Sequence, residues 1–333
     1  MSNAAKNPAR GRFEVLDMPL AEALDLVEAR LSERVASREP LLTDISNYLI
    51  GSGGKRVRPT VTLLVYRACG GNERGRDTRD IIDVAAALEL IHSATLLHDD
   101  IIDGSDVRRG KDSAFRKFGL AKALVTGDFV FSRAFQLCAR FEERLINWAA
   151  EACISLTEGE TMQGRFRHNP AVTRDDYLEI ISRKTASIFE QGARTAAYLA
   201  GAPDDVVEAM ASCGYSVGMT FQIVDDLLDI EGTEARVGKP VGLDLRDGNP
   251  SLPIVLVIGR DQEVTRIFQK PEPTAAEIAS ALARIRGSGV LAEVRALAAE
   301  YGTRARRSLD VLAPSPDKNH LQMLVDQLLE RAQ

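Results

Sequence analysis

The sequence predicts an all-α protein organised as one domain, and three observations carry that prediction. Apolar residues recur at helical spacing along nearly the whole chain. Strand-like alternation bounded by turn residues is nearly absent. Glycine and proline breakers fall in short clusters, and none of these reads as a linker between independent domains. The chain has 333 residues, 45% apolar and 27% charged, which is the composition of a globular protein rather than a disordered one. No fixed-period repeat and no low-complexity tract appear.

Each element has its own signal. Gly51-Ser52-Gly53-Gly54 ends one helix and Gly70-Gly71-Asn72 another. Across residues 82–97, Val84, Leu88 and Ile91 step by four and three, and Thr95 continues the same face. A helix over 120–141 starts after Gly119. A helix over 174–199 starts after Thr173, a good N-cap, with Asp176 in its first turn. A helix over 204–230 follows Pro203. Residues 232–253 carry Gly232, Gly238, Pro240, Gly242, Gly248, Pro250 and Pro253, and read as a loop long enough to be functional. The stretches 274–286, 289–312 and 318–331 are rich in Ala, Leu, Arg and Glu, good helix formers.

Composition also excludes classes. A net charge of -6 argues against a protein that coats nucleic acid, and no basic face with base-stacking aromatics is present. No run of about 18 apolar residues appears, so no integral membrane segment is expected. The polar stretch 1–12 lacks the apolar core of a secretory signal. Residues 1–13 read as a flexible N-terminus in which Ser2-Asn3-Ala4 is a remnant of an expression vector, and 14–333 as the domain. Cys69, Cys138, Cys153 and Cys213 are scattered without metal-ligand spacing. They read as buried thiols in a reducing, cytoplasmic compartment.

Two motifs carry the chemistry. Asp99-Asp100-Ile101-Ile102-Asp103 and Asp225-Asp226-Leu227-Leu228-Asp229 share the form Asp-Asp-x-x-Asp in a helical, apolar context. Residues four apart share a helix face, so Asp99 aligns with Asp103 and Asp225 with Asp229. Like charges so placed among Leu96, Leu97, Ile101 and Ile102 are costly unless a cation is bound. The donors are all carboxylate oxygens, which suit Mg2+, Mn2+ or Ca2+ rather than zinc, and Ile101 excludes an EF-hand loop. Mg2+ is usually held by one or two carboxylates plus substrate phosphates, which points to a phosphorylated substrate. Basic elements accompany the motifs: Lys55-Arg56-Val57-Arg58 after a glycine turn at a helix start, Arg108-Arg109-Gly110, Lys184-Thr185, and Lys239. Such groups make anion sites.

Together these residues resemble the trans-polyprenyl diphosphate synthase family, from about Gly53 to Pro253 with a similar tail around 301–331. The resemblance implies the isoprenoid synthase fold, a single domain of mostly antiparallel helices around a deep central cavity, usually a homodimer. It implies Mg2+-dependent head-to-tail condensation of isopentenyl diphosphate onto an allylic diphosphate. About two to three Mg2+ per site, or Mn2+, would be held by Asp99, Asp100, Asp103, Asp225, Asp226 and Asp229. Lys55, Arg58, His92 and Arg109 would bind isopentenyl diphosphate. Arg108, Lys184, Thr185, Gln222 and Lys239 would contact the allylic diphosphate. The catalytic set is then Asp99, Asp100, Asp103, Lys184, Asp225 and Asp226. His98 is expected to have a structural role beside the metal site. One departure stands out: Gly248-Asn249-Pro250-Ser251-Leu252-Pro253 has Asn249 where the family often has a lysine. Either another cation substitutes there or the allylic site is weakened.

The resemblance also assigns chain length. The residue five before the first aspartate controls elongation, and here it is Ala94, with Thr95 beside it and Leu90 and Ile91 a turn farther down. One helical turn of about 5.4 Å matches roughly one isoprene unit, and the small side chains imply a tail of about C30 to C50, set here at about C40, for quinone side chains. Transient membrane contact is expected at product release. The alternatives are a short-chain (C15–C20) synthase, a regulatory subunit of a heteromeric synthase, and a terpene cyclase, the last disfavoured by the second aspartate motif and the Lys55–Arg58 element.

Overall fold

In the computed structural model, residues 18–51, 53–71, 78–108, 110–232 and 241–331 are described. Residues 1–13, Arg109 and Lys239 therefore lie outside the described residues. Sixteen α-helices, one π-helical turn, one 3-10 turn (Leu309–Val311) and one two-residue ladder, Val107–Arg108 (β1) against Lys111–Asp112 (β2), make up the regular structure of these segments.

The first half runs α1 (Met18–Arg34), α2 (Pro40–Ile50), α3 (Val57–Ala68), α4 (Thr78–Ile102), α5 (Ala114–Phe118), α6 (Leu120–Cys138) and α7 (Glu143–Phe166). Then come α8 (Arg174–Ile181), a π-helical turn (Ser182–Ala186), α9 (Ser187–Leu199) and α10 (Asp204–Glu231). Short helices α11 (Leu243–Asp247), α12 (Leu252–Val257) and α13 (Gln262–Phe268) precede α14 (Ala275–Gly287), α15 (Val290–Ser308) and α16 (Pro316–Glu330). The capping signal at Thr173 is realised as a full capping box, in which Thr173 and Asp176 satisfy each other's backbone N–H groups. The expected loop over 232–253 contains the one-turn α11, flanked by Gly242 and Gly248 in left-handed conformation. The expected continuous helix over 174–199 is interrupted by the π turn.

Helix α4 is the spine. It packs against α1, α3, α6 and α9, and Ile81, Leu90, Ala94 and Leu97 on it are at most 2% exposed. Each such buried Leu or Ile contributes about 1.5–3 kcal/mol. By length and composition α4 is long and apolar enough to cross a membrane, but 78% of its apolar window is buried inside the protein. A second core joins α10 to α8 and to α12–α15. Helices α9 and α10 are linked by four residues and pack along each other, an antiparallel hairpin.

Arg56 explains how α3 is set. It adopts left-handed backbone (φ 49°) at the helix start. Its buried guanidinium donates to Glu28 of α1 (2.5 Å), Glu89 of α4 (2.7 Å) and the Ile50 carbonyl (3.1 Å). A buried charge must be paired this fully to be tolerated. Arg56 is thus a strut between three helices rather than part of an anion site.

Candidate active site

The two aspartate motifs face one cavity of about 370 Å³ between α4 and α10. On α4 the lining positions are His92, Thr95, Leu96, Asp99 and Asp103, which step by three, one, three and four as one helix face requires. On α10 they are Phe221, Gln222, Asp225 and Asp226. Arg58 enters from α3, Arg108 from β1, and Lys184 and Thr185 from the π turn. Glu160, Gln163 and Leu156 of α7 and Tyr177 of α8 close the walls, with Asn249, Pro250 and Ser251 at one rim.

The π turn is what presents Lys184. Wide turns of this kind are frequent at functional sites, and this one is gripped on two sides. A Cβ at Gly159 of α7 would lie 2.5 Å from the Lys184 amide nitrogen, and a Cβ at Gly218 of α10 would lie 2.7 Å from the Ala186 Cα. Only glycine permits these approaches. The Lys184 ammonium donates to Gln163 (2.6 Å) and pairs with Glu160. Burial lowers its pKa, but Asp99 and Glu160 outweigh that and leave it raised. Across the gap, burial pushes Asp99 up to about 7, with Glu160 and Asp103 adding repulsion against the pull of Lys184.

Asp226 is held by three donors: Tyr177 Oη (2.7 Å), Gln222 Nε2 (2.8 Å) and the Leu252 amide (3.2 Å). Burial still pushes it up to about 6. Thr185 Oγ1 in turn donates to Gln222 Oε1 (3.0 Å), so the π turn and the second motif form one network.

Two expected metal ligands are positioned otherwise. Asp100 is 0% exposed and accepts from Arg108 Nε (2.7 Å). It lies one residue round the helix from Asp99 and so points away from the cavity and braces Arg108. Asp229 is 2% exposed and accepts from the Leu243 and Asp244 amides (3.2 and 3.1 Å), which anchors α11. Neither lines the cavity; Asp99, Asp103, Asp225 and Asp226 do. Among the described residues no three His, Cys, Asp or Glu side chains form a preassembled cluster. The donor set nevertheless fits hard cations completed by substrate oxygens. The donors are all oxygens, and burial pushes Asp99 and Asp226 toward the neutral form, a cost that a divalent ion would offset.

The remaining expected residues divide. Arg58 lines the cavity with its guanidinium 5.1 Å from the Phe189 ring centroid, and His92 lines it on α4. Lys55 is exposed ahead of α3 and is not a lining residue. His98 lies against α6, 3.4 Å from the Leu124 carbonyl and from Asp128, in the structural role expected for it. Of the four chain-length positions only Thr95 lines the cavity. Ala94, Leu90 and Ile91 are buried in the core. At about 100° per residue, position 94 lies about 140° round the helix from Asp99, and position 95 only about 40°. Sequence reading missed Glu160, Gln163, Tyr177 and Phe221. Phe221 was findable, being four residues before Asp225 on the same helix face.

A deep site of carboxylates facing fixed cations, walled by Leu156, Ile180, Ile181 and Ile188, is that of a protein handling an anionic head group on an apolar body. The comparisons give that class its family. The polyprenyl synthetase family model matches residues 39–285. A geranylgeranyl diphosphate synthase of Methanosarcina mazei is 33% identical over 92% of this chain and 94% of its own. An octaprenyl diphosphate synthase of Escherichia coli is 33% identical over 91% and 94%. The crystal structure of a polyprenyl synthase from Caulobacter crescentus, complexed with calcium and isoprenyl diphosphate, is 34% identical, with a TM-score of 0.88 over 93% of this chain and 95% of that one. The chain belongs to the polyprenyl synthetase family and is an enzyme that transfers prenyl groups.

Proposed function

We propose that this prenyltransferase condenses isopentenyl diphosphate head-to-tail onto an allylic diphosphate, repeatedly, in a Mg2+-dependent reaction that ends near C40. The observation that carries this reading is the single cavity onto which Asp99, Asp103, Asp225, Lys184 and Arg58 all converge. Relatives named for geranylgeranyl and octaprenyl products support the substrate class.

Arg58 and His92, which line the cavity, hold isopentenyl diphosphate; the family resemblance adds Lys55, which lies exposed outside the wall, and Arg109. Arg108, braced by Asp100, holds the allylic diphosphate together with Lys184, Thr185, Gln222 and Lys239. Asp99, Asp103 and Asp225, with Asp226 behind them, would hold the metal. Bound Mg2+ supplies positive charge where the pyrophosphate leaves. The allylic C–O bond breaks with its electron pair going to pyrophosphate. The isopentenyl double bond attacks the allylic carbon, and transfer of a proton to the released pyrophosphate restores an alkene. The fixed cations stabilise the leaving anion without reorganisation, and the apolar wall excludes water from the carbocation.

Chain length is proposed from Thr95, which lines the cavity one helical turn before Asp99, beside Leu96, and is too small to form a floor. A short-chain product is the second reading, favoured by the modest cavity and by the enclosure of Ala94, Leu90 and Ile91 in the core. A homodimer is proposed from apolar side chains left exposed on α6 (Leu120, Leu124, Val125) and α7 (Ile154). Cytoplasmic residence is proposed from the four free thiols, whose burial raises Cys138, Cys153 and Cys213 to about 11–12 and leaves them inert. Pyrophosphate release tests the reaction. It should require both diphosphates and stop when EDTA removes the metal; release from the allylic diphosphate alone, or release indifferent to EDTA, contradicts the proposal.

A further inference from the structure

We propose that Arg167 is a diphosphate-binding cation of this site, standing where position 249 supplies none. The proposal rests on the prenyltransfer reading above. Arg167 follows α7 directly, and three contacts place its guanidinium at the cavity rim. Nη2 pairs with Asp103 and lies 3.3 Å from Asn249 Oδ1, while Nη1 lies 3.4 Å from the Ile102 carbonyl. Asp103 and Asn249 are both lining residues, one on the first motif and one on the rim beside the second. The guanidinium thus bridges α4 and the 248–251 segment, behind two lining residues rather than on the cavity wall itself.

The backbone that carries it is pinned. His168 takes up left-handed conformation (φ 56°), uncommon for a residue with a side chain. Its amide donates to the Gly248 carbonyl (2.9 Å), and its Nδ1 lies 2.9 Å from the Phe268 carbonyl. The imidazole fills the space a Cβ at Gly248 would occupy, 2.2 Å away. The residue after Arg167 is therefore locked to the residue before Asn249. The side chain is 23% exposed, yet its buried Nε–H has no hydrogen-bond partner. A half-satisfied guanidinium at the mouth retains donors for a bidentate phosphate contact. Arg246 is also near Asp103 but is 49% exposed and held by Asp247 (2.7 Å). Were Asp103 engaged by a divalent cation, the Arg167 guanidinium would keep its charge and its donors for a diphosphate oxygen.

The test uses the full chain with Mg2+, steady-state kinetics in each substrate, and calorimetric titration with inorganic pyrophosphate. Loss of one charge-assisted contact predicts that Arg167→Gln raises KM for the allylic diphosphate and the dissociation constant of pyrophosphate about tenfold. KM for isopentenyl diphosphate should stay within about twofold. Adding Asn249→Lys to that variant puts an ammonium within reach of the same place and should recover most of the loss. Arg246→Gln should leave both values unchanged. If Arg167→Gln does not fold, Arg167→Lys keeps the charge but loses the two-point fork, and should weaken pyrophosphate binding by about threefold to tenfold; binding unchanged from wild type would then overturn the proposal. An unchanged allylic KM with an altered Mg2+ requirement would make Arg167 only a clamp on Asp103 and overturn the proposal. So would failure of Asn249→Lys to restore binding, or an equal effect of Arg246→Gln. If the wild-type chain condenses nothing, the prenyltransfer reading fails instead, and the pyrophosphate titration still reports on Arg167.

Discussion

Replacing Gly159 by alanine tests whether the grip on the π turn matters to catalysis. The new Cβ would meet the Lys184 nitrogen at 2.5 Å, the Arg183 Cβ at 2.9 Å and the Lys184 Cα at 3.0 Å, where ordinary contact begins at 3.4 Å. Two of these atoms are backbone and cannot rotate away, so α7 and the π turn must part by about 1 Å, carrying the Lys184 ammonium off Gln163 and Glu160. A misplacement of about 1 Å at a reacting centre costs about a hundredfold in rate. Overpacking costs about 1–3 kcal/mol, and the better helix propensity of alanine returns up to about 1 kcal/mol. The net loss of about 0–2 kcal/mol leaves the protein folded, so kinetics remain measurable. The assay is kcat for isopentenyl incorporation, with a thermal melt as control. We expect kcat to fall about a hundredfold with a Tm lowered by a few degrees. A kcat within threefold of wild type would refute the link between this close packing and the position of Lys184.

Three further outcomes follow from the site. Asp100→Asn should leave the Mg2+ requirement near wild type while raising the allylic KM through loss of the brace on Arg108, whereas Asp99→Asn should abolish the metal response; titrating both variants with Mg2+ separates the roles. Burial raises Asp99 to about 7 in the metal-free protein, so between about pH 4 and 7 the folded state holds a proton that the unfolded state has lost, and stability falls as pH rises through that window. Asp99→Asn removes that loss, so its Tm advantage without metal should be present at pH 7.5 and shrink toward zero at pH 4.5; an advantage larger in acid contradicts the assignment. Thr95→Phe puts a ring on the cavity face below Asp99 and should shorten the product by one or more isoprene units, whereas Ala94→Tyr, directed into a buried position, should chiefly lower Tm; mass spectrometry and melting curves check both.

The helical architecture was legible because its signals are local. Thr173 with Asp176, Gly119 before α6 and Pro203 before α10 mark where helices start, and the structure places them there. The aspartate motifs were legible because a spacing of four and an apolar setting conflict unless a cation is present. What failed was the assumption that every aspartate of a motif does the same work. Asp100 differs from Asp99 by one residue, about 100° of rotation, and that turns it from the cavity to Arg108. Asp229 shares a face with Asp225 by spacing, but the free amides of α11 reach it first. The same rotation moves Ala94 off the wall and leaves Thr95 on it. Glu160, Gln163 and Arg167 were illegible because α7 is dotted with charge and only tertiary contact tells which charges face Lys184 and Asp103. The π turn has no sequence signature in this chain; the glycines that admit it, Gly159 and Gly218, lie on other helices.

One cavity, with aspartates placed to hold a metal and fixed cations beside them, is proposed to extend an allylic chain by successive condensation. The most direct measurement is the chain length of the products formed from isopentenyl and farnesyl diphosphates with Mg2+ by the purified protein alone. We predict all-trans polyprenyl diphosphates centred near C40; no product beyond farnesyl diphosphate would contradict the claim, and a product stopping at C20 would leave condensation standing but overturn Thr95 as an open floor.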